Sequence, residues 1–311
     1  MLNLNRLRIL IEVASRGSFS AAAESLSYTQ SAVSQQIAAL EAETGVNLIE
    51  RLPRGVRLTP AGRVLLEHAE GIVARLHAAE AELAAIAGLR GGQLRMASFP
   101  TAGATLMPLA IAIFRGQHPE VAISLAEGEP EEIGPRLSAG EFDIALLFEF
   151  DGTSESLGPD FTREPLLEDP MFLALPADHP LAERRTLRLE SLRAEAWIQT
   201  SSTSSCARHV VRSCHAAGFE PLVSFESDDY QTVQGLVAAG VGVALIPELA
   251  LSGGRDDIAI RALSPQSPVR RVIAATPSGT RLTPAAAAMR QILVDVAARY
   301  VGMNIRGPSA G

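Results

Sequence analysis

The chain has no lysine: all 27 of its basic residues are arginine. Enzymes that form a Schiff base need a lysine amine, and P-loop nucleotide-binding proteins need a lysine that reaches the phosphates. Both enzyme classes are therefore excluded. We find no other catalytic constellation in the 311 residues and expect a protein that is not an enzyme.

Long apolar runs are also missing. The longest one, residues 104–114, is too short to span a bilayer and contains Pro108. Residues 1–13 mix Asn, Arg and Glu with apolar residues, which is not the pattern of an export signal. We therefore expect a cytoplasmic protein without a membrane partner.

Cysteine is scarce: Cys206 and Cys214 lie eight residues apart on one predicted helix. That spacing is about 12 Å along a helix, whereas a disulfide needs Cα atoms within about 7 Å. A position near a helix N-terminus can lower a thiol pKa, so a redox role for Cys206 stays open beside the simpler expectation of packed thiols. Cys206 and His209 do not complete a four-ligand metal set, and we expect neither a metal nor a cofactor.

The net charge of −8 is unevenly distributed. Residues 1–66 contain seven arginines and five glutamates, which gives +2 there and −10 in the other 245 residues. The total charge argues against a nucleic-acid partner. The asymmetry makes the basic N-terminal part a candidate for one.

Two short helices with a tight turn between them are predicted within residues 19–38. Gly17 ends the preceding helix, Ser18 can cap the first of the pair, and Thr29 can cap the second. The inner face of the second helix is apolar. Its outer face carries small polar side chains: Gln30, Ser31, Ser34 and Gln35. In a helix-turn-helix such a face enters the DNA major groove, where Gln and Ser hydrogen-bond to base edges.

A short hairpin surrounded by arginines is predicted next, with its turn at residues 53–55. Arginine binds phosphate or enters a minor groove, although an Arg-rich turn can also be a merely solvated surface. Its position directly after the helix pair favours DNA. We predict a mainly α-helical winged helix-turn-helix domain at residues 1–59 that binds double-stranded DNA. Its predicted DNA-binding residues are Ser20, Thr29, Gln30, Ser31, Ser34, Gln35, Arg51, Arg54 and Arg57.

A long helix is predicted to begin at Thr59–Pro60, since Pro is favoured at the first helical position. Apolar residues then recur at steps of four and three over about three heptads, as in paired helices. We predict a linker helix at residues 60–90 that joins two copies of the chain. Its pairing residues are Leu65, Ile72, Leu76, Leu83 and Ile86. The sequence leaves dimer and tetramer open.

Strand-like and helix-like segments alternate from about residue 92 to residue 300. This alternation is typical of an α/β fold, and we expect its sheets to be mostly parallel. A single helix is expected at residues 104–117. Pro-rich joints near residues 164–170 and 264–268 indicate where the chain enters and leaves a second subdomain.

The segment LRILIEVASRGSFSAAAESLSYTQSAVSQQIAALEAETGVNLIERLPRGVRLTPAG, residues 7–62, resembles the LysR-type transcriptional regulators. Looser resemblance continues to about residue 300 through FRGQHPEVAISLAEGEP, LSAGEFDIALLF, LPADHPLAE and VQGLVAAGVGVALIP. The family's DNA-reading positions fall on Gln30, Ser31, Ser34 and Gln35, and its wing contacts fall near Arg54. Family members often have Arg where Gln35 stands.

The resemblance implies a ligand-responsive regulator with an α/β effector-binding domain similar to periplasmic binding proteins. We place that domain at residues 91–303, with subdomain I at about 91–164 and 268–303 and subdomain II at about 165–267. RNA polymerase is a further candidate partner. The alternative is a solute-binding or catalytic α/β protein that uses its first 90 residues only for assembly. The sequence does not indicate the target genes or whether they are activated or repressed.

The effector cleft implied by the resemblance would lie at strand exits between the two subdomains. Two of these exits are rich in Ser and Thr, whose hydroxyls, with free backbone N–H groups, can bind a small anion such as a carboxylate. Helix capping alone would also explain such residues. The predicted effector contacts are Ser98, Phe99, Thr101, Ser201, Ser202 and Thr203.

Overall fold

The computed structural model of the chain describes residues 2–52, 55–86, 92–150, 161–265, 267–278 and 282–304. The chain divides into two compact units, one formed mainly by residues 1–87 and the other mainly by residues 88–311. Across the described ranges, no helix is both long enough and apolar enough to cross a membrane.

The first unit consists of three helices, a hairpin and a long helix. In chain order these are α1 (Leu4–Arg16), α2 (Phe19–Ser25), α3 (Gln30–Thr44), β1 (Ile49–Arg51), β2 (Val56–Leu58) and α4 (Pro60–Ile86). The predicted helix ends are confirmed. Gly17 ends α1 with a left-handed φ of 61°, and the side chains of Ser18 and Thr29 accept hydrogen bonds from backbone N–H groups at the starts of α2 and α3.

The hairpin is held against the helices by backbone contacts. The N–H of Val56 donates to the carbonyl of Gly17 at 2.9 Å. The carboxylate of Glu41, in α3, accepts from the N–H groups of Leu48 and Ile49 at 2.8 and 3.1 Å. Because these bonds join the hairpin to the ends of α1 and α3, its position relative to α3 is fixed.

The second unit contains ten strands and six helices among its described residues. They are β3 (Gln93–Ser98), α5 (Pro100–Ala104), α6 (Leu106–Gln117), β4 (Ala122–Glu127), α7 (Pro130–Ser138), β5 (Ile144–Phe150), β6 (Phe161–Pro176), β7 (Thr186–Leu187), β8 (Ala196–Gln199), α8 (Ser205–Ala216), β9 (Leu222–Glu226), α9 (Tyr230–Ala238), β10 (Ala244–Pro247), β11 (Ile258–Leu263), β12 (Val269–Pro277) and α10 (Pro284–Asn304). Two short 3₁₀ turns, Leu189–Leu192 and Glu248–Leu251, complete it.

The sheets are mixed, which differs from the expectation of mostly parallel sheets. β3 runs parallel to β4 and β5, and β8 runs parallel to β9. β12, however, is antiparallel to both β5 and β6, and β6 is antiparallel to β10 and β11. The long strands β6 and β12 cross the unit, so each must pair with strands of the opposite direction.

The change of partners along β6 divides the second unit into two subdomains. Residues 161–170 of β6 pair with β12, whereas residues 171–176 pair with β10 and β11. Pro170 and Pro268 lie at this change, where the N–H of Met171 donates to the carbonyl of Pro268 at 2.8 Å. The Pro-rich joints thus coincide with the crossing between the subdomains.

The helix expected at residues 104–117 is confirmed as α6, which begins at Leu106, and a short helix that was not expected, α5, precedes it. They meet at Thr105, whose backbone departs from helical geometry (φ −116°, ψ −69°). Its hydroxyl donates to the carbonyl of Thr101 at 2.7 Å. Thr101 and Thr105 are both buried, so the turn after β3 faces the interior of the unit.

Candidate nucleic-acid interface and ligand cleft

The outer face of α3 is polar and open to solvent at its N-terminal end. Gln30, Ser31 and Gln35 are exposed, and Ser34 is half-buried. The hydroxyl of Thr29 accepts from the N–H of Ala32 at 3.2 Å and lies 3.1 Å from the hydroxyl of Ser31. The opposite face is anchored, since α3 contributes the fully buried side chains Val33 and Leu40.

Two arginines fix neighbouring side chains of α3. Arg6 donates through Nε to Gln36 at 3.0 Å and pairs with Glu43. Arg51 donates through Nη2 to the hydroxyl of Ser34 at 2.9 Å, and its guanidinium lies 5.2 Å from the ring centroid of Phe19. Arg51 therefore has partners inside the domain, and it orients Ser34.

The other predicted contacts of this unit lie around the hairpin and on α2. Arg57 forms an exposed ion pair with Glu50, with Nη2 and Oε2 2.7 Å apart. Solvent screens such an exposed pair and makes it weak, so a phosphate can replace the carboxylate at small cost. Ser20 is exposed on α2. Arg54 lies outside the described residues.

The predicted pairing residues of α4 divide into two groups. Leu65 is half-buried and packs against the core of its own domain. Ile72 and Leu83 are 45% and 67% exposed, and Leu76 is half-buried. The side chain of Ile86 lies outside the described residues. Exposed aliphatic side chains eleven residues apart lie on nearly the same side of a helix, so α4 presents an apolar face.

A small cavity, here called the cleft cavity, lies between the turn after β3 and the N-terminal ends of α8 and α9. Its volume is about 10 Å³, roughly what one water molecule needs. The lining residues are Phe99, Pro100, Thr101, Glu129, Thr200, Cys206, Asp228, Tyr230 and Arg270. They come from both subdomains, which close on each other in this structure.

Arg270 is the centre of a buried polar cluster beside the cavity. Its Nε donates to Asp169 at 2.7 Å, and its Nη2 donates to the hydroxyl of Thr101 at 2.6 Å. Its guanidinium lies 4.9 and 4.7 Å from the ring centroids of Phe99 and Phe148. Arg270 and Asp169 are both about 1% exposed. Removing one member of a buried ion pair costs about 3–5 kcal/mol because the other charge is left uncompensated.

Three other lining groups hold their protons more firmly than usual. Burial raises the pKa of Glu129 to about 7, against the opposing effect of the Arg270 charge. Burial also raises the pKa of Cys206 to about 11 and that of Tyr230 well above its ordinary value. At neutral pH the thiol and the phenol are therefore neutral, and Glu129 is poised between its two forms.

An ion pair joins α8, which carries the lining residue Cys206, to α7, which follows the lining residue Glu129. Arg208 of α8 donates through Nη2 to Glu131 of α7 at 2.8 Å, and its other amino group donates to the carbonyl of Thr203. Asp228 accepts from the N–H of Ser201 at 2.8 Å.

The structure places the six predicted effector residues in different environments. Phe99 and Thr101 line the cleft cavity. Ser98 is buried and donates to the carbonyl of Phe99 at 3.0 Å. Ser201, Ser202 and Thr203 are not among the lining residues; Ser202 and Thr203 are exposed, and the hydroxyls of Ser201 and Thr203 lie 3.1 Å apart.

Both units match known families along most of their length. Residues 4–63 match the family described as "Bacterial regulatory helix-turn-helix protein, lysR family". Residues 87–298 match the family described as "LysR substrate binding domain". The chain belongs to the LysR family. LysR-family proteins are DNA-binding transcription regulators with an effector-binding domain, and they are not enzymes. The alternative of a solute-binding or catalytic protein is therefore wrong.

Individual proteins that are similar to this LysR regulator are also regulators. It is 32% identical over 248 residues to the transcriptional dual regulator GltC of Bacillus subtilis. The aligned region covers 79% of this chain and 81% of GltC. It is 33% identical over 282 residues to the probable HTH-type transcriptional regulator LrrA of Synechococcus elongatus, covering 88% and 90%. A mutant OxyR of Corynebacterium glutamicum has a similar structure, with a TM-score of 0.61, 26% identity and coverage of 97% and 94%.

Sequence reasoning missed the charged and aromatic groups of the LysR regulator's cleft. Arg270, Glu129 and Tyr230 were not predicted, although each lies in or beside a segment recognised as a strand or helix. Asp169 and Arg270 are 101 residues apart, so no local pattern joins them. The available signal was a pair of adjacent arginines, Arg270 and Arg271, in an otherwise apolar strand, because a charge is rarely buried unless it is paired.

The expectation of packed thiols agrees with the structure, and the open alternative, a lowered pKa for Cys206, does not. Cys206 and Cys214 are both buried free thiols on α8. Burial raises the pKa of Cys214 to about 12, and that of Cys206 is raised as well. Because the thiolate is the reactive form of cysteine, the environment of both residues favours packed, unreactive thiols.

Proposed function

We propose that this LysR regulator reads its operator with the N-terminal turn of α3, as a homo-oligomer whose DNA affinity is changed by an effector in the cleft cavity. The observation that carries the proposal is the exposed polar row on α3: Gln30, Ser31 and Gln35. These side chains are held on a helix whose other face is anchored in a core. A helix presented in this way fits the major groove.

The residues of this surface fall into two chemical roles. Gln30 and Gln35 can each bind adenine with two hydrogen bonds, and Ser31 can accept or donate at either base edge. Ser20 and Thr29 are placed to bind phosphates, which fix the register but carry no sequence information. Arg51 supports Ser34 from the protein side, and Arg57 becomes available to phosphate when its pair with Glu50 opens.

Two copies of this surface require an oligomer, and α4 is the element that supplies the contact. Ile72 and Leu83 expose apolar area that a second α4 would cover. A two-fold pair of α3 helices would then face two half-sites of a near-palindromic operator. The regulator would act in the cytoplasm, with RNA polymerase as a further partner at the promoter.

The cleft cavity serves as the effector site in this proposal. Its volume of about 10 Å³ is too small for an organic ligand, so binding requires the subdomains to separate around the crossing strands β6 and β12. The ion pair between Arg208 and Glu131 would break or rearrange in that step. Effector binding then selects one arrangement of the subdomains, and that arrangement sets the arrangement of the DNA-binding units.

The experiment that tests DNA reading compares two substitutions on DNA from upstream of the protein's own gene. Gln30→Ala should relax preference at one base position per half-site, by about 1–3 kcal/mol. Arg54→Ala should weaken binding to every duplex and lower the slope of log K against log salt by about one unit. Fluorescence anisotropy with single-base variants of the duplex at several salt concentrations measures both.

Gln291→Ala provides the matched control, because it removes an exposed glutamine from α10. This variant should bind every duplex as the wild type does. Equal, uniform losses for Gln30→Ala and Arg54→Ala would contradict the assignment of roles, and so would any change in base preference caused by Gln291→Ala.

A further inference from the structure

The charge balance of the cleft cavity points to the chemistry of its ligand. Among the residues that the structure describes, Arg270 is the cationic lining residue of the cavity, and Glu129 and Asp228 are its acidic ones. Arg270 is already neutralised by Asp169 at 2.7 Å, and it also donates to Thr101 at 2.6 Å. An anionic ligand would have to break these buried bonds before it could use the guanidinium charge.

Glu129 is the group of the cavity that has no partner. Throughout the described ranges, no group donates a hydrogen bond to its carboxylate, and no ion pair includes it. Arg208 of α8 is bound to Glu131, two residues after Glu129. Asp228 is exposed and accepts one backbone N–H from Ser201. The lining group without a hydrogen-bond partner is therefore a carboxyl group, which a cationic ligand would hold in its charged form.

The rest of the lining suits a small cationic group on an organic body. Phe99 and Pro100 offer apolar surface, and the hydroxyl of Tyr230 can accept a hydrogen bond. An ammonium beside Glu129 would replace an unpaired carboxylate by a charge-assisted hydrogen bond in a site largely shielded from water. A carboxylate at the same place would be repelled by Asp228 and by the ionised form of Glu129.

We propose that the effector carries a protonated amine or amidine group that binds the carboxylate of Glu129 in the cleft cavity. This inference rests on the proposed function of the cavity as the effector site. It replaces the expectation of a simple carboxylate effector, which was based on the Ser/Thr-rich loops alone. Three of those loop residues, Ser201, Ser202 and Thr203, do not line the cavity.

The test uses matched probes that differ only in their polar group. They are butylamine, butyrate and butanol, and benzylamine, benzoate and benzyl alcohol. Binding to the full-length protein at pH 7.5 is measured by saturation-transfer NMR, with thermal unfolding as a second readout. At least one amine should bind, and its Kd should rise by about ten-fold or more in Glu129→Gln, because the charge-assisted bond is lost.

Glu248→Gln is the matched control. Glu248 lines a separate cavity of about 220 Å³ with Glu168 and Asp169 among its neighbours. Amine binding should be the same in this variant as in the wild type. The proposal is overturned if no amine binds, if amine binding survives Glu129→Gln unchanged, or if Glu248→Gln removes it.

DNA affinity measured in the same samples shows whether only the amine proposal fails or whether the proposed effector role of the cavity fails as well. Suppose that a carboxylate or an alcohol, and not an amine, binds in the cleft and changes DNA affinity. The proposal of an amine effector is then wrong, but the proposal that the cleft is the effector site stands. A probe that binds at the lining residues without any effect on DNA affinity would count against the effector role itself. The proposal predicts a third result, in which a bound amine changes DNA affinity and Glu129→Gln abolishes that change.

Discussion

Gly62 shows how a single residue holds the DNA-binding domain together. A Cβ at this position would lie 2.1 Å from the backbone oxygen of Leu48 and 3.2 Å from a side-chain carbon of Leu58. Thr59 reinforces the same junction, because its N–H donates to the Leu48 carbonyl and its hydroxyl donates to the carbonyl of Asn47. The start of α4 can approach the preceding segment only without a side chain.

We predict that Gly62→Ala destabilises the first unit by about 1–3 kcal/mol, since the backbone must shift to relieve the contact. Gly71 lies in the same helix, and a Cβ added there would have no other atom within 4 Å. Gly71→Ala should therefore stabilise α4 by up to about 1 kcal/mol. Urea unfolding followed by circular dichroism compares the variants; a stable Gly62→Ala protein would show that the close approach is absent.

Glu129 should make the stability of the protein depend on pH. The pKa of Glu129 is raised from the ordinary value of 4.5 to about 7 by burial. Between these values the folded protein binds more protons than the unfolded chain, so this group's contribution to stability falls as pH rises. The Glu129→Gln variant cannot ionise at this position, so it does not lose this stability as pH rises.

The Tm of Glu129→Gln should therefore match the wild type near pH 4.5 and exceed it above pH 7. Each 1 kcal/mol corresponds to a Tm shift of about 2–4 °C at this chain length. Thermal unfolding across pH 4.5–8.5 gives the difference between the two proteins. A difference that stays constant with pH, or that grows towards acid, would contradict the raised pKa.

Local chemistry made some of these residues predictable. Thr29 and Gln30 could be identified from sequence because a cap and a 3.6-residue period involve neighbours in the chain. Glu129 and Arg270 could not, because their environment is made by elements distant in sequence. In the Ser/Thr-rich loop, Thr200 lines the cavity but Ser201, Ser202 and Thr203 do not, and hydroxyl groups of the loop bind each other and the helix end.

At the scale of elements, α4 links the sequence pattern to assembly. Its steps of four and three predict a pairing face, and Ile72 and Leu83 are indeed exposed in one copy. Leu65 lies on the same pattern but packs inside its own domain. A heptad pattern shows which side of a helix is apolar, but it cannot show which neighbour covers each turn.

We predict that Leu83→Glu separates the subunits, because a carboxylate in an apolar helix pair must lose its hydration without a partner. The dimer Kd should rise by about 100-fold or more. Light scattering after size-exclusion chromatography measures the mass. Glu67→Arg, an exposed change on the other side of α4, should leave the mass unchanged. An intact oligomer in Leu83→Glu would place the subunit contact elsewhere.

For the strands as well, the local sequence does not show which distant element is the partner. β5 is predictable from its apolar run, and all seven of its residues are buried. The full length of β6 is not, because the half at residues 161–170 has a mixed polar and apolar sequence with two prolines. Its pairing with β12 is decided by residues about 100 positions away. The mixed direction of the sheets follows from that pairing and has no local signal.

At the scale of the whole molecule, a basic DNA-binding unit and an acidic effector unit are joined by one helix in the sequence. The family membership establishes a DNA-binding regulator. The central claim is narrower: the outward polar row of α3, present twice in an oligomer held by α4, reads the operator. Both the row and the pairing face must act together for two half-sites to be recognised.

The most direct measurement is in vitro selection of random duplexes by the full-length protein, followed by sequencing. We predict a motif of two inverted half-sites separated by a whole number of helical turns, about 10–10.5 base pairs each. The Gln30→Ala protein should lose base preference at the same position in both half-sites. A single half-site, or a Gln30→Ala motif identical to that of the wild type, would contradict the account.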